Sequence, residues 1–99
     1  MEELQILKDN YEEFLNYMKS RYPLYHLSNV FVQDMMYAIM GYFQDRGRKL
    51  SFARAEYLAR EFASFLEGRG VFKRIEDRYS PTWVLNYPKF KKEPVKRAG

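Results

Sequence analysis

One histidine and no cysteine stand among the 99 residues, and that scarcity decides most of the covalent and metal chemistry at once. A zinc site draws three or four protein ligands from Cys, His and carboxylates. Here the imidazole set has one member, His26, and the thiolate set none. Disulfides and a cysteine nucleophile are excluded outright. His26 lies in the Tyr-rich connector "PLYHLSN" with no acidic cluster beside it, so it reads as a packing or surface residue rather than a general base. Glu12 with Glu13, and Glu76 with Asp77, are adjacent acids on polar segments and read as solvated faces. Neither GxxxxGK[ST] nor GxGxxG occurs, and "GRG" at 68–70 is a helix stop, not a phosphate loop. The sequence therefore predicts no enzyme, no cofactor, no metal and no small-molecule substrate.

The chemistry that remains is binding. Arg54 and Arg60 fall on the outward side of a predicted helix, where guanidinium groups can reach phosphates or guanine edges. Glu61 and Glu67 share that side and oppose the same contact. Lys73, Arg74 and Arg78 in a predicted hairpin, with Lys89, Lys91 and Lys92 beyond it, would add an electrostatic footprint for nucleic acid. The competing reading makes the arginines and their Glu neighbours a salt-bridged, solvated face. A protein partner or a second copy of the chain is the alternative class, carried by Ile6, Tyr17 and Tyr22, which lie outside the main apolar stripe of the first helix. Trp83 reads as core first and interface anchor second.

Charge is distributed unevenly. Residues 1–87 balance at 12 basic and 12 acidic side chains, so the net +4 sits in the last 12 residues. Residues 1–20 hold five acids against two bases, while 46–78 hold nine bases against five acids. The molecule should be negative near its start and positive near its end. No window approaches the ~18 apolar residues of a membrane span, and "MEELQILKDN" is unlike a signal peptide. A soluble, cytoplasmic domain is the expectation.

These residues need elements to position them. Leu4, Leu7, Tyr11, Phe14 and Met18 recur at three and four, which predicts a helix over 3–20 that Pro23 prevents from continuing. Ser28 or Asn29 reads as the N-cap of a second helix over 29–46, apolar nearly all round, with one polar stripe of Asp34, Ala38, Gly41 and Asp45. Gly41 inside it suggests a close approach by another backbone, and Gly47 a left-handed end. Ser51 caps a third helix over 52–67, whose stripe of Phe52, Ala55, Leu58, Ala59, Phe62 and Leu66 faces the core. Strands follow at about 71–75 and 82–87, joined by a polar loop, with Val71, Ile75, Trp83 and Leu85 turned inward. Met36, Ile39, Met40, Phe43, Leu58, Phe62 and Leu66 are the expected centre. Residues 1–88 make one domain, with 1–22 a packing or dimerisation element, and 89–99 form a basic tail expected to be disordered.

The expected fold class is mainly α (α+β): three helices, then a C-terminal two-stranded antiparallel hairpin. The order helix, short extended piece, helix, helix, hairpin resembles a winged-helix domain. The run "LSFARAEYLAREFASFLEGRGVFKRI", followed by "TWVLNY", is similar to the DEP branch of that superfamily, over about residues 25–88. The resemblance implies that the third helix is the recognition helix and "EDRYS" the wing tip. Winged helices use that surface for the DNA major groove in many cases and for proteins in others. On this analogy and the basic residues, nucleic acid stands ahead of a protein partner.

Overall fold

Asn10 divides the first helix in two. Its side chain donates to Ile6 O at 2.8 Å, competing with the backbone ladder as short polar side chains do, and its φ of −125° leaves the helical region. In the computed structural model, which describes residues 2–75 and 81–91, the result is α1 (Glu2–Asp9) and α2 (Tyr11–Arg21). The chain then runs through β1 (Asn29–Phe31), α3 (Val32–Gln44), α4 (Phe52–Gly68), β2 (Phe72–Ile75), β3 (Thr82–Leu85) and a 3-10 turn at Pro88–Phe90. It is mainly helical, with four helices among the described residues and a small antiparallel sheet.

That sheet has three strands, not two, in the order β1-β3-β2. The second predicted helix therefore starts later and ends sooner than its apolar run suggests: 29–31 is extended, and α3 begins at Val32. Neither Ser28 nor Asn29 caps it. Asp34 instead accepts the Phe31 N–H at 3.1 Å, closing the helix entrance. The reason is tertiary. Val30 stands opposite Trp83 in the ladder and is buried, and strand geometry is what lets Asn29 and Phe31 point the other way.

α3 and α4 pack face to face at the centre, α1 lies on α4 and α2 on α3. Phe14 joins them, meeting Tyr42 edge-on at 5.4 Å and Phe62 at 5.3 Å. Ile39, Phe43, Leu58, Phe62 and Leu66 are buried as expected, but Met36 and Met40 are only half-buried. The expected polar stripe of α3 is also displaced: Ala38 is core, and Gly41 lies under the Tyr17 hydroxyl of α2, a side chain rather than a backbone. Ser51 does cap α4, accepting the Arg54 N–H at 3.1 Å, and Gly47 does take a left-handed φ of +79°.

Trp83, Leu85, Phe72 and Val30 seat the inner face of the sheet on the core. Ile75, expected inside, is exposed, because the register pairs it with Thr82 on the opposite face from Trp83. The packed chain continues past residue 88: Tyr87 and Phe90 are buried and meet edge-on at 4.9 Å. Arg78, Lys92 and the loop around Arg78 lie outside the described residues.

Candidate protein-interaction face

The predicted basic surface is largely spoken for within the chain. Arg54 donates to Glu3 at 2.6 Å, Arg60 to Glu56 at 3.0 Å, Arg74 to Glu67 at 3.1 Å and Lys89 to Glu12 at 3.1 Å. Of the six described candidates, only Lys73 and Lys91 form no ion pair among the described residues. Arg74 also lies over Trp83, whose indole N–H donates to the same Glu67 at 3.2 Å, so this arginine fastens β2 to α4. Arg48 adds bonds to Glu2 and Glu3 at 3.0 and 2.9 Å. Glu3 consequently sits at about 2 rather than 4.5, chiefly through its bond from Arg54. Arg54 thus links α4 to α1 and Arg74 links β2 to α4, while Arg60 pairs with Glu56 within α4 itself. The exposed side of α4 also carries Glu56 and Glu61.

An aromatic ridge exposes Phe52, which the sequence placed in the buried stripe of its helix, beside Tyr37 of α3. Tyr37 is 52% exposed and Phe52 59%, and their rings meet edge-on at 6.1 Å. Tyr37 sits on the outer side of α3. Phe52 occupies the first turn of α4, where its stripe has run beyond the end of the core. Reading Phe52 as the start of the buried stripe misplaced it by one turn.

A groove adjoins the ridge on either side. The larger, about 480 Å³, lies between α2 and α3 and is lined by Tyr17, Arg21, Tyr22, Tyr37, Met40, Gly41 and Gln44. The smaller, about 330 Å³, runs between α3 and α4 past Val32, Gln33, Met36, Tyr37, Phe52, Glu56 and Arg60. Tyr37 lines both. Met36 and Met40 are half-buried because they form the groove floors, and Met adapts its shape readily to a partner. Tyr17 and Tyr22, predicted as interface residues, line the larger groove; Ile6 lines neither and packs partly on the core. Burial raises the Tyr17 phenol above its ordinary pKa, so it stays a neutral hydroxyl.

The charges of this face cancel locally. Arg21 pairs with Asp45 at 3.3 Å beside the larger groove, and Arg60 with Glu56 beside the smaller. The cations without an ion pair among the described residues, Lys8, Lys19, Lys49, Arg69, Lys73 and Lys91, line neither groove. The grooves are at the small end of the size range for ligand clefts.

Sequence reasoning missed Tyr37 and Phe52, although Gln33, Tyr37, Met40 and Gln44 recur at four, three and four and so share one side of α3. An apolar residue on a helix apolar nearly all round carries no mark of which side is left open. Among the described residues, no group of three or more His, Asp or Glu could hold a metal ion, and no helix is long and apolar enough to cross a membrane. Comparison with known proteins finds no matching family model, curated protein or solved structure.

Proposed function

We propose that this chain is a winged-helix-like, non-enzymatic protein-interaction module that binds its partner through the α2–α3–α4 face. The winged-helix reading draws support from the order helix, short strand, helix, helix, hairpin, with β1 completing the sheet beside the hairpin. One observation carries the functional part: two aromatic rings, each more than half exposed, stand between two grooves on a face whose ion pairs are closed within the chain. Aromatic anchors in a desolvating setting are the usual centres of binding energy between proteins. A nucleic-acid surface needs free cations aligned along a backbone, and the arginines of α4 and β2 are engaged by Glu3, Glu56 and Glu67.

Site-specific photocrosslinking separates the two classes. A benzophenone side chain at Phe52 should yield protein adducts, and one at Lys73 should yield neither protein nor nucleic-acid adducts. A labelled duplex should bind weakly, with no loss on Arg54→Ala or Arg60→Ala. Tight duplex binding that falls steeply with salt and weakens on Lys73→Ala would overturn the reading in favour of nucleic acid.

A further inference from the structure

We infer a second contact surface, separate from the α2–α3–α4 face: the turn at residues 25–28 and the basic end of the chain dock together on an anionic lipid bilayer. Leu27 is the first support. It is the most exposed large apolar side chain among the described residues, at 63%, and the one non-glycine residue there with a positive φ. An exposed leucine alone means little. One held in a backbone conformation that costs free energy, with its side chain left outside the core, gains nothing from the fold and points to something beyond it.

The surroundings of the tip suit a headgroup layer. Tyr25 is exposed, and the Lys19 ammonium lies 4.9 Å from its ring centroid. Lys19 forms no ion pair among the described residues. Tyrosine rings and lysine stems collect at the boundary between hydrocarbon and water, the ring in the headgroups and the ammonium toward the solvent.

Charge is the second, independent support. The whole net charge of +4 lies in residues 88–99. That segment starts from the turn itself: the His26 N–H donates to Phe90 O at 2.9 Å, which brings Lys91 close to the backbone that carries Leu27. Lys89 is tied to Glu12, but Lys91 is exposed and forms no ion pair among the described residues. Lys92, Lys96 and Arg97 follow in the sequence against Glu93 alone.

The two observations together select the occupant. An aliphatic tip has no counterpart on a phosphate backbone, and one apolar side chain falls far short of the ~20–30 residues a side in a standard protein joint. A bilayer of acidic lipids takes a single inserted side chain and adds affinity charge by charge. Each Lys or Arg at such a surface contributes a factor of about five, so the contact is reversible and weakens with salt.

Co-sedimentation of the full chain with phosphatidylcholine vesicles, with and without phosphatidylserine, tests the proposal. The parent should bind the acidic vesicles only, less so as salt rises, and free glycerophosphoserine at equal headgroup concentration should not compete. Leu27→Asn should bind at least about tenfold more weakly, the loss for withdrawing a leucine from an apolar setting, with a Tm no lower than the parent's. Lys91→Glu combined with Lys92→Glu should weaken binding at least about 25-fold. Ile75→Ser, at the other end of the sheet from Leu85, should bind like the parent. The chain has no cysteine, so an environment-sensitive fluorophore on Leu27→Cys reports the tip alone. Its emission should shift to the blue on acidic vesicles, and the same probe on Ile75→Cys should not shift.

Equal binding to both vesicle types, competition by the free headgroup, or an unshifted probe at position 27 overturns the proposal. Undiminished binding in Leu27→Asn or in the paired lysine variant does the same. A parent that ignores vesicles also overturns it, and if that parent binds a labelled duplex through Lys91 and Lys92, the basic end serves nucleic acid instead.

Discussion

Leu27 is held at φ +71° at the tip of a turn that the Ser28 N–H closes onto Tyr25 O at 3.0 Å, and its side chain is 63% exposed. A left-handed backbone costs an L-residue roughly 1–2 kcal/mol, and Gly or Asn would normally occupy this turn position. The conformation is imposed by the Leu27 N–H, which donates to Leu85 O at 2.7 Å and locks the loop to β3. Leu27→Asn should therefore stabilise the chain by ~1 kcal/mol, raising Tm by ~4–8 °C at this size. An unchanged or lower Tm in a thermal scan would show that no strain is stored there. Gly41 makes a second residue-scale case. A Cβ at this position would collide with the Tyr17 hydroxyl, so Gly41→Ala should destabilise by ~1–3 kcal/mol despite its better helix propensity. With Tyr17→Phe in place the same substitution should stabilise, and a double-mutant cycle in urea reads the change of sign. The sequence marked Gly41 as a point of close approach because a mid-helix glycine is costly. It could not say that the neighbour was a phenol.

At the scale of elements, the helices were legible where a period and a stop signal agree. Ser51 and the stripe from Ala55 to Leu66 placed α4 within a residue of its observed end. β1 was not legible. Three residues are too few to show an alternation, and Val30 and Phe31 continue without a break into an apolar run of helical period. What makes them a strand is Trp83, more than fifty positions away in the chain. Arg54, Arg60 and Arg74 were correctly placed on α4 and β2, but their partners were hidden for the same reason. Nothing local indicates that Glu3 of α1 will bridge Arg48 and Arg54. That bridge gives a pH dependence with a definite sign. Glu3 is depressed from 4.5 to about 2, so the folded state favours its carboxylate. The stabilisation is fully present above about pH 4.5 and is lost as the pH falls toward 2. Urea midpoints at pH 7, 4.5, 3 and 2 should fall for the parent below 4.5. Glu3→Gln should start lower at pH 7 and fall less. If both chains lose stability in parallel, the acid sensitivity belongs to other carboxylates, such as Glu12, whose pKa Lys89 also lowers.

Across the whole molecule, the charge asymmetry of the sequence turns out to be an internal fastening. The acids of the first two helices meet the bases of later segments: Glu2 and Glu3 with Arg48 and Arg54, Glu13 with Arg46, Glu12 with Lys89. A separation that suggested an outward dipole mostly joins the start of the chain to the rest. The last described residues belong to the same joint. Phe90 accepts the His26 N–H on its carbonyl at 2.9 Å, and its ring lies 4.7 Å from the Lys19 ammonium, which also faces Tyr25. The Tyr87 N–H donates to His26 Nδ1 at 3.0 Å, so that nitrogen is an acceptor and the imidazole proton belongs on Nε2. The lone histidine is thus a structural link between the connector and the end of β3. Sequence reasoning had no means of recruiting Phe90, since a single aromatic among lysines shows no period. Phe90 is buried against Tyr87, and so Phe90→Ala should cost ~3–5 kcal/mol, as deletion of a core aromatic does. Ending the chain after Pro88 should cost at least as much, because it also removes the Lys89–Glu12 pair and the carbonyl that holds His26. A chain ending after Lys91 keeps every one of these contacts and provides the comparison. Guanidinium denaturation of the three chains measures the difference, and native-state hydrogen exchange at the His26 amide reports whether the joint has opened. If the chain ending at Pro88 matches the one ending at Lys91 in both, the end of the chain only rests on the domain and does not close it.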